Sequence, residues 1–215
     1  MATKEMKAKT GRRSRDQARQ EILHQARDFL WDHAFREMTV ARLMDRTAIG
    51  RSAFYAYFQD TADLAEVLLL DVFTSIQTAV RPWLAGEGKD PPTAMFHSIR
   101  GLVEVCVEKG PIVRAVSEAT SASAHLEQIW NDFMDKFDVA IETRLRAEQK
   151  AGRVGSLNAR ETARALNRLD AAYLILSFGR RPQSDPQEVT QALASIWINT
   201  VYGRKYMDRI ELPPP

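Results

Sequence analysis

Between residues 16 and 34 the chain repeats every three or four positions. Ile22, Ala26, Phe29 and His33 form one stripe, and Leu23 and Leu30 flank it. That period is one face of an amphipathic helix. Thr39 stands just before Val40, Leu43 and Met44, where an N-cap belongs, and predicts a second, short helix ending near Arg46. The tetrapeptide TAIG follows, then a third short helix over Arg51 to Tyr57. Asp60 caps a fourth helix through Leu64, Val67, Leu68, Asp71 and Val72 toward residue 80, where Arg81-Pro82 disturbs it, because the residue before a proline avoids the α region.

The stretch AGEGKDPP (85–92) reads as a linker, and residues 92–109 resume a helix that Gly110-Pro111 stops, with a short helix following to about Ser121. A long helix runs from about His125 to Ala151, with Trp130, Phe133, Met134, Phe137, Ile141 and Leu145 on its apolar face and Gly152 as its stop. Asn158 and Glu161 resemble a capping box for a helix through Leu166, Leu169, Tyr173 and Leu176 to Gly179. Asp185-Pro186 supplies cap and first residue for a last helix through Val189, Leu193, Ile196 and Thr200 to Gly203, and the tail ELPPP is expected to fray. The result is an all-α chain of about nine helices with no strand-like alternation.

Composition alters this picture little, but charge placement alters it more. The 215 residues suffice for one large domain or two small ones. A lone cysteine, Cys106, excludes an internal disulfide and fits a reducing cytoplasm. The opening MATKEMKAKTGRRSR lacks an apolar segment, so it is not a secretory signal, and the longest apolar run, LAEVLLLDVF, is broken by Glu66 and Asp71 and is too short to span a membrane. Residues 1–20 carry seven basic residues against two acidic ones, a balance of +5 that leaves −3 for the rest of a chain whose net charge is +2. A basic, flexible arm over residues 1–15 is either a contact for a polyanion or a solubilising tail.

No catalytic pattern stands out. The histidines, His24, His33, His97 and His125, form no paired metal-binding motif, and no nucleophile elbow, phosphate loop or dinucleotide fingerprint occurs. His24, Asp28 and Asp32 share a helix face, which reads as a solvated polar face rather than a metal site. Neither a cofactor nor a metal is expected.

The stronger constellation is the first three helices, read as a helix-turn-helix domain over residues 16–60. Val40, Leu43 and Phe54 can pack against Phe29 and Leu30, holding two helices too short to stand alone. Of the aromatics Phe54, Tyr55, Tyr57 and Phe58, the phenylalanines sit at i and i+4 and read as core, while both tyrosines fall off that stripe. Ile49 plugs the turn, and Arg51, Ser52, Tyr55 and Tyr57 remain for a major groove, with Arg51 suited to a bidentate contact with guanine. Thr39 marks a helix N-terminus that favours a phosphate, and Arg12, Arg13 and Arg15 on the arm suit phosphate neutralisation or a minor groove.

The block ILHQARDFLWDHAFREMTVARLMDRTAIGRSAFYAYFQDTADLAEVLL resembles TetR-type transcriptional regulators in its helix order, in Thr39 opening the second helix and in the F-Y-x-Y-F close of the third. LEQIWNDFMDKFDVAIETRLRAEQKAGRV, ARALNRLDAAYLILSF and LASIWINTVYG resemble the C-terminal helices of the EthR-like branch. There are departures. Thr47-Ala48 stands where the family usually has Ala-Gly, and Gly50 where it has Ser or Thr, so either Gly50 or Ser52 caps the third helix. Thr61 replaces the lysine that many members use for a phosphate, so that role is not carried over.

The resemblance implies a homodimer whose last two helices form a four-helix seam through Leu166, Leu169, Leu176, Val189, Leu193, Ile196 and Thr200. It implies a small-molecule pocket in a ligand-binding and dimerisation domain over residues 61–203, lined by Phe96, Val103, Trp130, Phe133, Met134, Phe137, Asn167, Asp170, Tyr173 and Trp197. Asn167 is expected to meet a ligand carbonyl. Asp170 either lines the pocket or pairs with Arg164 or Arg168. The function implied is a cytoplasmic, ligand-responsive repressor that binds near-palindromic double-stranded operator DNA and is released by a small, largely apolar effector. The alternatives are a helical enzyme or small-molecule carrier with a regulator-like fold, and a constitutive DNA-binding protein in which Trp130, Phe137 and Trp197 fill the pocket.

Overall fold

A computed structural model describes the backbone of residues 2–88 and 90–203, and the side chains from Arg15 onward apart from Lys89. All regular structure among these residues is helical: α1 (Ala2–Asp32), a 3-10 turn (Phe35–Glu37), α2 (Val40–Met44), a 3-10 segment (Arg51–Ala56), α3 (Thr61–Leu84), α4 (Pro91–Ala119), a 3-10 turn (Thr120–Ala122), α5 (Ala124–Lys150), α6 (Ala159–Phe178) and α7 (Pro186–Val201). The tail, residues 204–215, lies outside the described residues.

Short polar side chains start most of these helices. Thr39, Asp60, Asp90, Ser123, Asn158 and Asp185 each accept a backbone N–H of the first turn, satisfying donors that a helix start leaves free. Gly86 and Gly152 both adopt a φ of 71° just past the ends of α3 and α5, and the next residue's N–H returns to the last turn (Glu87 to Pro82, Arg153 to Glu148). That left-handed residue with a returning bond is a Schellman stop.

Three sequence expectations are corrected. The helix expected from residue 16 begins at Ala2, so residues 2–15 belong to α1 rather than to a flexible arm. Lys, Glu, Ala, Met and Arg dominate there and favour helix without needing an apolar stripe. Gly110-Pro111 does not stop its helix, so the two segments expected there run together as α4, and α3 continues past Pro82 to Leu84.

Pro111 removes the N–H that would bond the Val107 carbonyl. Gln183, from the α6–α7 connection, donates to that carbonyl at 2.9 Å and to the Phe178 carbonyl at 3.2 Å, and α4 continues to Ala119. Pro82 sits inside α3 in the same way. There the Ser98 hydroxyl of α4 accepts the Trp83 N–H at 3.1 Å and donates to the Val80 carbonyl at 3.2 Å. At Pro111 a neighbouring segment replaces the lost bond itself, and at Pro82 it supplies hydrogen bonds to the backbone groups on either side of the proline.

The N-terminal domain closes around Ile22, Phe29, Leu30, Leu43, Met44, Phe54 and Phe58, all buried, and Leu64 of α3 joins the same core. α4 is the central helix of the remainder, packing against α3, α5, α6 and α7 and also against α1. The α1–α4 contact is polar as well as apolar. Buried Arg114 donates to the Leu30 and His33 carbonyls at the end of α1, at 2.5 and 3.1 Å. Lys109 reaches Asp71 at 2.9 Å and Ser75 at 2.7 Å, and Arg27 of α1 reaches the same Asp71 oxygen at 3.3 Å. The guanidinium of Arg181 lies 4.5 Å from the Trp31 ring centre, a cation–π contact.

Gly110 allows α6 to end against α4. A Cβ there would lie 2.5 Å from the Phe178 carbonyl oxygen and 2.8 Å from its carbon. Because the obstacle is backbone, Gly110→Ala should destabilise the protein by about 1–3 kcal/mol, read as a lower urea midpoint with unchanged slope.

Candidate nucleic-acid interface and ligand cavity

The turn between α2 and the 3-10 segment is closed by a side chain. The Thr47 hydroxyl donates to the Met44 carbonyl at 2.9 Å, lies 3.2 Å from the Ile49 carbonyl and accepts the Ile49 N–H at 3.2 Å. A Ser/Thr hydroxyl bonded to nearby backbone is a turn-forming device, so threonine here supplies what a glycine turn does by conformation. Gly50 is the cap of the next segment, in ordinary extended conformation (φ −66°, ψ 147°) and with no side-chain bond. Ser52 lies inside that segment, so it is not the cap.

The expected third helix is a 3-10 helix, tied by Ala53 N–H to Gly50 and Tyr57 N–H to Phe54. Phe54 and Phe58 are buried with ring centres 5.4 Å apart. Tyr55, edge-on to Phe54, is 64% exposed. Thr39, Arg51 and Ser52 are exposed too, Tyr57 is half-buried, and Arg15 on α1 is exposed. The side chains of Arg12 and Arg13 lie outside the described residues. Arg51 is not free: its guanidinium bonds Asp45 at 2.8 Å, which holds it beside α2. Thr61 opens α3 next to its cap, Asp60.

The second feature is a narrow cavity among α3, α4, α5, α6 and α7, enclosing about 790 Å³ of space with its mouth included. Phe133, Met134, Phe137, Asn167, Asp170 and Trp197 line it. Four other residues expected there do not. Phe96 and Val103 line a separate groove beside Pro186 and Thr190. Trp130 stacks on Phe133 from behind, ring centres 5.6 Å apart, and Tyr173 is exposed on the outside of α6. Phe137 and Trp197 both line this cavity, whereas the constitutive alternative requires them, with Trp130, to fill it.

The wall that sequence reading missed comes from α3 and α4: Ile76, Val80, Trp83, Met95, Ile99 and Cys106 among others. The available signal was Trp83 directly after Pro82, an aromatic at a helix irregularity.

Polar groups are few in this cavity, and their partners differ from expectation. The Asn167 amide donates to the Met134 carbonyl at 3.1 Å and to Asp138 at 2.6 Å, so it fastens α6 to α5 rather than offering its N–H groups to a ligand. Arg168 also bonds Asp138, at 3.1 Å, and Arg164 pairs with Glu161 at 3.5 Å. Neither arginine therefore pairs with Asp170. Both Asp170 oxygens instead accept the Trp197 indole N–H, at 2.9 and 3.0 Å. Burial drives the Asp170 carboxyl up to about 7, against which the Trp197 bond is a lesser, opposing effect. Burial, with Asp170 beside it, likewise pushes the Cys106 thiol up to about 12.

Of the seven apolar and polar positions expected at a dimer seam, Leu166, Val189 and Leu193 are buried within the chain, whereas Leu169, Leu176, Ile196 and Thr200 are exposed. Among the described residues, no cluster of three His, Cys, Asp or Glu side chains could hold a metal, and no helix is long and apolar enough to cross a membrane.

The raised Asp170 fixes the sign of a stability prediction. Its carboxyl titrates near 3.8 when unfolded and near 7 when folded. Between those values the folded state binds the extra proton, so stability falls as pH rises through this window. Asp170→Asn should therefore become progressively more stable than the parent from pH 4 to pH 8, by up to roughly 4 kcal/mol, measured by denaturant titration at each pH.

Comparison with known proteins places this geometry. Residues 22–68 match the family of bacterial regulatory proteins of the tetR type, and residues 95–203 match the C-terminal domain of the transcriptional regulator EthR. The chain is 27% identical over 198 residues to the HTH-type transcriptional regulator EthR of Mycobacterium tuberculosis (strain CDC 1551 / Oshkosh), covering 91% of this chain and 92% of that protein. It is 25% identical over 201 residues to EthR of Mycolicibacterium smegmatis, covering 91% of each. In fold it is similar to the MbdR regulator of Azoarcus sp. CIB (TM-score 0.72, 18% identity, 86% of this chain and 98% of that one). It is also similar to the TetR-family regulator PfmR of Thermus thermophilus (TM-score 0.69, 17% identity, 85% and 97%). The chain belongs to the TetR family of bacterial transcriptional regulators, with a C-terminal domain of the EthR type.

Proposed function

We propose that the protein is a cytoplasmic repressor that binds a near-palindromic operator as a homodimer and leaves it when a slender, largely apolar molecule enters the cavity. The observation that carries this reading is the division of the 3-10 segment. Phe54 and Phe58 anchor it in the core, while Arg51, Ser52 and Tyr55 stay exposed at its N-terminal end, the end from which a recognition helix reaches base edges. Thr39 adds a phosphate contact at the N-terminus of α2, and Tyr57 one at the edge of the segment. Arg12, Arg13 and Arg15 of α1 neutralise the backbone.

The link between sites runs through α3 and α4, which line the cavity and hold α1 by the Arg114–Leu30/His33 and Lys109–Asp71–Arg27 bonds. A ligand that spreads these helices favours one spacing of the two reading heads over another, and the coupling is reciprocal. The exposed Leu169, Tyr173, Leu176 and Ile196 on α6 and α7 supply the apolar seam of the dimer.

Two measurements test this. Fluorescence anisotropy on the protein's own promoter region should show salt-dependent binding that exceeds binding to random DNA. Arg51→Ala should cut that preference by about 1–3 kcal/mol, while removing Arg12, Arg13 and Arg15 together should weaken binding to all sequences alike. Equal behaviour toward promoter and random DNA in the parent would refute the reading. For the dimer, Leu176 is 79% exposed, so Leu176→Glu should leave the fold intact yet shift sedimentation from dimer to monomer. A monomeric parent would refute the dimer, and a variant that still dimerises with the same affinity would place the seam elsewhere.

A further inference from the structure

Asp170 is the one carboxyl in a wall that is apolar apart from Asn167, Ser98 and Cys106, and no cationic side chain among the described residues lines the cavity beside it. Of the 21 residues lining the cavity, the titratable ones are Asp170 on α6 and Cys106 on α4. The Cys106 thiol, driven up by burial, stays neutral. From α3, α5 and α7 the cavity receives Trp83, Phe137 and Trp197 rather than a charged group. The arginines nearest in sequence are engaged elsewhere, Arg168 with Asp138 and Arg164 with Glu161. Both Asp170 oxygens share one donor, the Trp197 indole N–H. An ionised carboxylate has about four lone-pair sites, so the indole leaves it under-bonded, and a buried carboxylate without a counter-charge is costly. A neutral amide at this position would carry no such cost.

The geometry points to a ligand class: a slender aliphatic molecule bearing one protonated amine, whose ammonium pairs with Asp170 while its chain lies along the aromatic and aliphatic wall of Phe133, Phe137 and Ile141. This rests on the cavity being the effector site proposed above. An ammonium supplies the missing charge and the hydrogen bonds that Trp197 cannot, and charge-assisted bonds of this kind are stronger than neutral ones. The narrowness of the cavity admits a linear chain more readily than a ring system. An anionic or hydroxyl-headed chain of equal length gains no such pairing.

Decylamine, 1-decanol and decanoate, each below its micellar concentration, test the assignment against the full-length protein at pH 7.5. Binding is read by tryptophan fluorescence, since Trp197 and Trp83 both line the cavity, and promoter DNA binding is followed in parallel by anisotropy. Decylamine should bind about tenfold or more tightly than 1-decanol, a difference of ~1.4 kcal/mol, with decanoate the weakest. In Asp170→Asn the amine preference should shrink to about twofold or less. In the parent protein, decylamine affinity should rise about tenfold from pH 5.5 to pH 7.5 as the carboxyl ionises, while the alkylammonium, like a lysine side chain titrating near ~10.4, stays charged. The affinity of 1-decanol should not rise with it.

Equal affinity for decylamine and 1-decanol in the parent overturns the amine assignment and leaves the effector reading standing. A preference that survives Asp170→Asn overturns it as well. Should that variant fail to fold, a flat pH profile for decylamine in the parent is decisive against it. If none of the three chains binds while promoter binding is intact, both the cavity reading and the amine assignment fall. If decylamine binds through Asp170 but promoter affinity is unchanged, the amine assignment stands and release by ligand falls.

Discussion

A buried guanidinium is the central polar contact between the N-terminal helices and α4. Arg114 is 2% exposed and meets the end of α1 through the Leu30 and His33 carbonyls, with Glu118 3.5 Å away. A helix C-terminus presents carbonyls without intrahelical partners and a partial negative charge, so an arginine from another helix is a natural complement. The match is incomplete: its Nε and Nη1 are buried without hydrogen-bond partners, and burial lowers its affinity for the proton despite Glu118. A buried charge with unbonded donors tolerates little displacement, because any movement that loses a carbonyl leaves more of it unpaired. The helix-turn-helix domain is therefore held to α4 by a contact with a narrow range of acceptable geometries.

The cavity depends on a related principle. Two prolines interrupt the hydrogen bonding of α3 and α4, and in both cases a side chain from a neighbouring segment bonds the backbone there, Ser98 to the groups flanking Pro82 and Gln183 to the carbonyl that Pro111 leaves free. Ser98 and Trp83 both line the cavity, and so do Gly110 and Val113 around Pro111. The irregular backbone thus lies along the cavity wall. Its polar groups are satisfied from outside the helix, which leaves a lining of mostly apolar side chains with Asn167 tied off to α5 and Asp170 bonded to Trp197.

Much of this was legible in the residue pattern, for local reasons. The stripe of Ile22, Ala26 and Phe29, the caps at Thr39, Asp60, Asn158 and Asp185, and the stop at Gly152 each act within a turn or two of chain. Those elements appear where the pattern placed them. The division of Phe54 and Phe58 from Tyr55 was likewise readable, since helical periodicity alone separates the two faces. The pattern said less where burial has two possible causes. Leu166, Val189 and Leu193 share a stripe with Leu169, Leu176 and Ile196, but the first three face the chain's own core and the last three face out. A 3–4 repeat does not say which neighbour covers it.

What the sequence by itself determined is the helical class, the capped helix starts at Thr39, Asp60, Asn158 and Asp185, the core of the helix-turn-helix domain and the family pattern in residues 22–69 and in the three segments 126–154, 163–178 and 193–203. These follow from periodicity and capping, which are short-range. Only the tertiary structure decided that α4 continues through Gly110-Pro111 and α3 runs past Pro82, because the groups that bond the backbone there lie 15 residues away at Ser98 and Trp83 or, for Gln183 and Val107, 76 away. It also decided which aromatics face the cavity, that Thr47 closes the turn, and that Asp170 lines the cavity bonded to an indole rather than pairing with Arg164 or Arg168. Each of these turns on which polar group a buried neighbour can satisfy, and that is a property of contacts between distant segments.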